Sequence, residues 1–204
     1  MESLVQEPVL DRVVSFVQRK ILRSYKARLD HQYKHGGWAW LGRLDELAHH
    51  QILAGYFNYL KKEGSILDLG CGEGVLNDSI QKSNYSRYVG VDLSSEAARI
   101  GNEKRGDEKT RFYQGNMDTY VPEGKFDVIC INEALYFSSN PNKLLNRLQA
   151  HLEPDGFFMI SLLSPKGDTI WSDLYQQYEF LDENKVTNIR NVTWTCRILK
   201  PRTH

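Results

Sequence analysis

The sequence contains no apolar run long enough to cross a bilayer, and its mean hydropathy is −0.52. It has no excess charge of either sign: 26 lysines and arginines balance 26 aspartates and glutamates. A general nucleic-acid binder normally carries a basic excess, so neither a nucleic acid nor a membrane is expected as partner. The opening Met1-Glu2-Ser3-Leu4 lacks a basic segment followed by an apolar one, and no secretory signal is expected. Cysteine is scarce. Cys71, Cys130 and Cys196 show no CxxC spacing and cannot build a disulfide framework, which points to reduced thiols in a cytoplasmic protein. At 204 residues, 41% hydrophobic and 25% charged, the chain is long enough to bury a core as one domain.

The pattern divides that domain into an N-terminal helical cap over 1–62 and a core over 63–204. Pro8 can open a helix carrying Val9, Val13, Val14, Phe16, Val17, Ile21 and Leu22, and a second helix is expected from Leu44 to Leu60. Between them Tyr33–Gly42 mixes glycines with Trp38 and Trp40. From Ser65 onward short apolar strands alternate with helices: Ile66–Leu69, Arg87–Asp92, Thr110–Gln114, Phe126–Ile131 and Gly156–Leu162, separated by helical Val75–Lys82, Ser95–Lys104 and Pro141–Leu152. That alternation predicts an α/β fold, a mostly parallel sheet with helices on both faces. A helix over Asp168–Tyr178 and strands at Glu179–Leu181 and Asn191–Leu199 predict an antiparallel finish at the sheet edge.

The most informative stretch is Asp68-Leu69-Gly70-Cys71-Gly72-Glu73-Gly74, between the first strand and a helix. Its spacing is GxGxG. The third glycine of a dinucleotide fingerprint is missing, because Val75 or Asn77 stands there, and no Lys-Ser or Lys-Thr follows as a P-loop requires. A ligand with an amino-acid group and a nucleoside but no phosphate suits the loop better. Asp68 can receive an ammonium group, Asp92 at the second strand end can accept both ribose hydroxyls, and Asn116 can bond an adenine edge that Met117 covers.

These segments, with VGVDLS (Val89–Ser94), QGNMD (Gln114–Asp118), FDVICINEALYF (Phe126–Phe137) and LEPDGFFMIS (Leu152–Ser161), resemble the class I S-adenosylmethionine-dependent methyltransferases. The resemblance covers roughly Ser65 to Leu162. It implies a Rossmann-like seven-stranded sheet with a reversed last strand. It implies S-adenosyl-L-methionine as cofactor, held by Asp68, Leu69, Gly70, Cys71, Gly72, Gly74, Asp92, Leu93, Asn116, Met117, Asn132 and Glu133. Many members carry aspartate where this chain has Asn116, and an amide still offers both donor and acceptor.

After the fourth strand, Asn132-Glu133-Ala134-Leu135-Tyr136-Phe137 lacks the Pro-Pro-Tyr turn of DNA and protein-amide methyltransferases. It also lacks a convincing magnesium set and a Pro-Cys nucleophile, so no metal is expected. The string is similar to the small-molecule branch, including nodulation-type N-methyltransferases. The acceptor expected is therefore nitrogen or oxygen of a small metabolite, methylated by in-line displacement. Candidate catalytic residues are Glu133, Tyr136 and His49, and candidate acceptor contacts are Tyr33, Trp38, Trp40 and Tyr136. Each has a plainer reading: a helix-start carboxylate for Glu133, packing for the aromatics, and a boundary position for His49, which with its neighbour His50 cannot share one helix face. A protein or RNA methyltransferase, or a non-catalytic cofactor-binding subunit, are the alternatives.

Overall fold

We analysed the protein as a computed structural model, which describes the backbone of residues 9–202 and side chains from residue 21 onward. Pro8 and the apolar side chains assigned to the first helix between Val9 and Val17 lie outside those described residues.

Seven strands form one sheet: β1 (Ser65–Leu69), β2 (Arg87–Asp92), β3 (Thr110–Gln114), β4 (Phe126–Asn132), β5 (Leu152–Ser164), β6 (Tyr178–Thr187) and β7 (Thr193–Pro201). Their order is β3-β2-β1-β4-β5-β7-β6. The first five run parallel, and β7 pairs antiparallel with both β5 and β6. Around them pack α1 (Val9–Lys34), α2 (Leu47–Leu60), α3 (Val75–Ser79), α4 (Ser95–Arg105), α5 (Pro141–Leu148) and α6 (Asp168–Tyr175).

Neighbouring strand residues point to opposite faces, and both faces are covered. Leu67, Ile129 and Phe158 pack with Leu145 of α5 and Leu174 of α6. Ile66, Val128 and Phe157 pack with Leu53 and Phe57 of α2, Leu76 of α3 and Ala98 of α4. Burial on both sides explains why these strands read as continuous apolar runs.

The expected antiparallel finish at the sheet edge is a hairpin in which β7 is inserted between β5 and β6, because Trp194, Thr195, Cys196, Ile198 and Leu199 are all buried and need neighbours on both sides. Two expectations are corrected by the fold. The edge strand is β6, which runs to Thr187 rather than Leu181. Its exposed Asp182, Glu183 and Lys185 read as loop but suit an edge that must resist further pairing. The helix after the glycine loop ends at Ser79, because Ile80 turns extended (φ −107°, ψ 122°) and is buried.

From β1 the chain winds through β2 and β3 to one side, and from β4 through β5 to the other. A crevice therefore opens between the carboxyl ends of β1 and β4. α2 lies on a sheet face against β5 and β7, whereas α1 runs along the strand tips against α4.

Candidate functional site

Gly70, Gly72 and Gly74 all have positive φ, at 74°, 55° and 88°, a region that side chains disfavour. At Gly70 a Cβ would stand 2.3 Å from the Ala134 Cβ, so the missing side chain is what lets the tips of β1 and β4 close on each other. Gly70 and Cys71 donate their N–H groups to the Val91 carbonyl at 2.7 and 3.2 Å, which ties the loop to β2. Cys71 donates its thiol to the Gly72 carbonyl, and burial pushes that thiol up, so it packs rather than reacts.

Asp68 leads into this loop, Asp92 bonds to its backbone, and Asn116 stands beyond the end of the neighbouring β3. Asp68 is buried at 1% exposure. Its Oδ2 accepts from the Tyr88 hydroxyl at 2.5 Å, and its Oδ1 is buried with no hydrogen-bond partner. Burial raises its pKa to about 7, opposed by the Tyr88 hydroxyl and reinforced by Asp92. Asp92 accepts from the N–H groups of Gly72 (2.9 Å) and Ser94 (2.8 Å); burial raises its pKa and those two donors oppose the rise. Leu93 follows it, its carbonyl accepting from Gln114. Asn116 uses Oδ1 to accept from the Asp118 N–H at 3.0 Å, while the Met117 Cε comes within 3.3 Å of the Gly70 Cβ direction. An orphaned carboxylate oxygen, a second carboxylate with lone pairs left over, and an amide beside a thioether fit the amino-acid, sugar and base portions of an amino-acid nucleoside.

Across the crevice, β4 ends in Asn132 and then Glu133, a non-glycine residue at φ 55°. The Glu133 Oε2 accepts from the Tyr136 hydroxyl at 2.5 Å, and its Oε1 is 3.2 Å from the Ser161 hydroxyl. Ser161 also donates to Asn132 Oδ1 at 2.5 Å, and that same oxygen accepts from His49 Nδ1 at 3.0 Å. Burial lifts Glu133 to about 7 and lowers His49 to about 4, so His49 is neutral near pH 7. His49 stacks on Trp194 with ring centroids 4.7 Å apart. His50 is buried beside it, its Nδ1 unpartnered. Glu133, Tyr136 and His49 thus belong to one hydrogen-bonded cluster. Ser161 was missed by the sequence reading; the signal was a lone hydroxyl inside the apolar run Phe157–Leu163.

The proposed acceptor contacts separate. Tyr136 belongs to the β4 cluster. Tyr33 instead lies over the glycine loop, its hydroxyl 2.8 Å from where a Gly72 Cβ would stand. Tyr33, Trp38 and Trp40 follow one another with centroid spacings of 5.8 and 5.9 Å. Tyr33 and Trp38 line a cavity of about 290 Å³ beside Glu73 and Lys104. Also missed was Asp30, whose Oδ1 accepts from the Ser94 hydroxyl at 2.7 Å and the Glu96 N–H at 3.2 Å, fastening α1 to the start of α4.

Fold and crevice together define an open α/β protein with a nucleoside-type site at its topological switch point. The profile of the methyltransferase-domain family matches residues 40–198, and the chain belongs to that family. The class I methyltransferase resemblance read from the motifs is thereby borne out.

Among curated relatives, the ribosomal protein L11 methyltransferase of Neisseria meningitidis is 31% identical over 130 residues, covering 60% of this chain and 40% of that protein. A malonyl-[acyl-carrier protein] O-methyltransferase of Ilyobacter polytropus is 26% identical, covering 64% of this chain and 53% of its own length. The match thus spans about half or less of these relatives. Among solved structures, the N-methyltransferase NodS from Bradyrhizobium japonicum WM9, in complex with S-adenosyl-L-homocysteine, superposes with TM-score 0.72 at 13% identity, covering 87% of this chain and 98% of that one. The 1,6-didemethyltoxoflavin-N1-methyltransferase of Burkholderia thailandensis gives 0.70 at 19% identity, covering 100% and 94%. At these identities the likeness is one of fold.

Proposed function

We propose that the protein is an enzyme that transfers a methyl group from S-adenosyl-L-methionine to nitrogen or oxygen of a small molecule. The observation that carries this reading is the placement of Asp68, Asp92 and Asn116 at or just beyond the carboxyl ends of three adjacent strands, with Asp92 bonded to the glycine loop. Asp68 would meet the ammonium group of the cofactor, Asp92 its ribose diol and Asn116 with Met117 its adenine. The cofactor supplies an electrophilic methyl on sulfonium, and the protein aligns the acceptor and excludes water. The whole chain acts as one unit in this reading, with 1–62 capping the 63–204 core. The three free thiols accord with a cytoplasmic location.

Calorimetric titration with S-adenosylhomocysteine tests it. The wild type should bind, and Asp92→Ala should weaken binding at least tenfold, since a ribose diol loses charge-assisted hydrogen bonds worth about 1.5–3 kcal/mol. Equal binding by the folded variant would remove Asp92 from the site.

A second reading, a protein acceptor, is favoured by the L11 methyltransferase relatives. S-adenosylhomocysteine release on a panel of small amines and hydroxyl compounds, compared with release on ribosomal protein, separates the two.

A further inference from the structure

Glu133 occupies a position that neither motif spacing nor fold explains as packing. Its backbone adopts a left-handed conformation at φ 55°, next to the Ala134 that touches Gly70 across the crevice. Such a conformation costs about 1–2 kcal/mol in a non-glycine residue and persists where the surroundings hold it. Here it turns the carboxyl onto two hydroxyls.

Those hydroxyls are arranged to accept either charge state. Tyr136 donates to Glu133 Oε2 and accepts from the Leu163 N–H at 2.7 Å, which fixes the direction of its proton. Ser161 has one proton, and its shorter contact is to Asn132 Oδ1, 2.5 Å against 3.2 Å to Glu133 Oε1. With that proton directed at Asn132 Oδ1, the Ser161 oxygen keeps lone pairs free for Glu133. A protonated Glu133 can therefore donate to Ser161, and an ionised one is served by Tyr136, without movement of either side chain. His49 donates to the same Asn132 oxygen, and an amide oxygen passes no proton onward, so the chain of bonds stops there.

We infer that Glu133 is the base that takes the proton from the methyl acceptor, with Ser161 and Tyr136 as positioning residues, and that the acceptor is an amine or hydroxyl that arrives with a proton to lose. This rests on the methyltransferase reading above. The acceptor's lone pair forms a bond to the methyl carbon as the carbon–sulfur bond breaks onto sulfur, leaving a neutral thioether. The proton made acidic on the acceptor passes to the Glu133 carboxylate, so the charges of sulfonium and carboxylate cancel.

Other groups facing Glu133 are Lys166, whose Nζ lies 4.1 Å from the centre of the Tyr136 ring, Glu46 held by Arg190 at 2.5 Å, and Cys196 on β7. His49 is already neutral over the range tested.

The test needs no acceptor. Sinefungin carries an ammonium in place of the sulfonium methyl, so its affinity relative to S-adenosylhomocysteine reports a negative charge beside the transfer path. Calorimetry across pH 6 to 8.5 should find the preference for sinefungin rising about tenfold as Glu133 ionises. Glu133→Gln should lose that rise, whatever its absolute affinity for S-adenosylhomocysteine, because the ratio of the two affinities is what carries the signal. Tyr136→Phe, which removes a donor from the ionised carboxylate, should move the rise to higher pH. A preference independent of pH, or unchanged in Glu133→Gln, overturns the inference while leaving cofactor binding intact. Failure of both ligands to bind the wild type would instead remove the methyltransferase reading, and the inference with it.

Discussion

Gly70 and Asp68 illustrate two ways in which a single position is committed to the crevice. Gly70→Ala would place a methyl 2.3 Å from Ala134 in a backbone region that alanine disfavours. It should cost about 2–4 kcal/mol in denaturant unfolding and abolish binding of S-adenosylhomocysteine. Asp68 is committed by electrostatics. Because burial raises it to about 7, the folded protein keeps a proton that the unfolded chain releases near pH 4. Stability should therefore decline as pH rises from about 4 to about 7 and level off above. Asp68→Asn removes that decline, and urea melts near pH 8 should find the variant more stable than wild type by about 1–3 kcal/mol, with the difference vanishing near pH 4. Ligand affinity should fall in the same variant. A carboxylate kept at a stability cost is what a cation-binding position requires.

At the scale of elements, α1 is fastened at its end by Asp30, which accepts from Ser94 and Glu96 at the start of α4 and pairs with Lys26 at 2.6 Å. Although burial opposes it, these donors lower Asp30 to about 2. The folded pKa lies below the unfolded one, so the fastening is complete above about pH 4 and is lost as pH falls towards 2. Asp30→Ala should raise amide exchange in residues 21–34 well before the sheet opens, at a cost of about 1 kcal/mol. Unaltered exchange in that helix would mean that Tyr33 and its aromatic neighbours hold it instead. The contact was invisible in the sequence because 64 residues separate Asp30 from Ser94. Only the topology brings the helix to those strand tips.

For the molecule as a whole, the hairpin between β6 and β7 is joined to the segment before α2 through Arg190, which pairs with Glu46 at 2.5 Å and Asp45 at 2.7 Å. Glu46 is buried at 6% exposure, and desolvation raises its pKa against the pull of Arg190. Arg190→Ala leaves a buried carboxylate unpaired, which should cost about 1–3 kcal/mol near pH 8. The loss should shrink as the pH is lowered, because a carboxyl whose pKa is raised takes up its proton earlier on the way down, and thermal melts over an acidic pH series check it. Glu46 also raises the pKa of Glu133 through its charge, so the same variant should be felt at that carboxyl.

The parallel half of the sheet and the polar residues near its strand tips were legible because each depends on its own few neighbours in sequence. A strand buried on both faces must be apolar throughout, a tight loop with repeated positive φ favours glycine, and Asp68, Asp92 and Asn116 each lie at or beside the end of a strand that its own pattern announces. The second half was less legible. The reach of β6 and the insertion of β7 depend on which strand edges are left free, and charged Asp182–Lys185 carries no local strand signal. The Glu133–Ser161–Asn132–His49 cluster draws on β4, β5 and α2. Sequence alone determined what the strand tips carry, since local patterning specifies each tip separately. Only the tertiary structure decided which tips face one another across the crevice, because strand order follows from long-range burial rather than from any one segment.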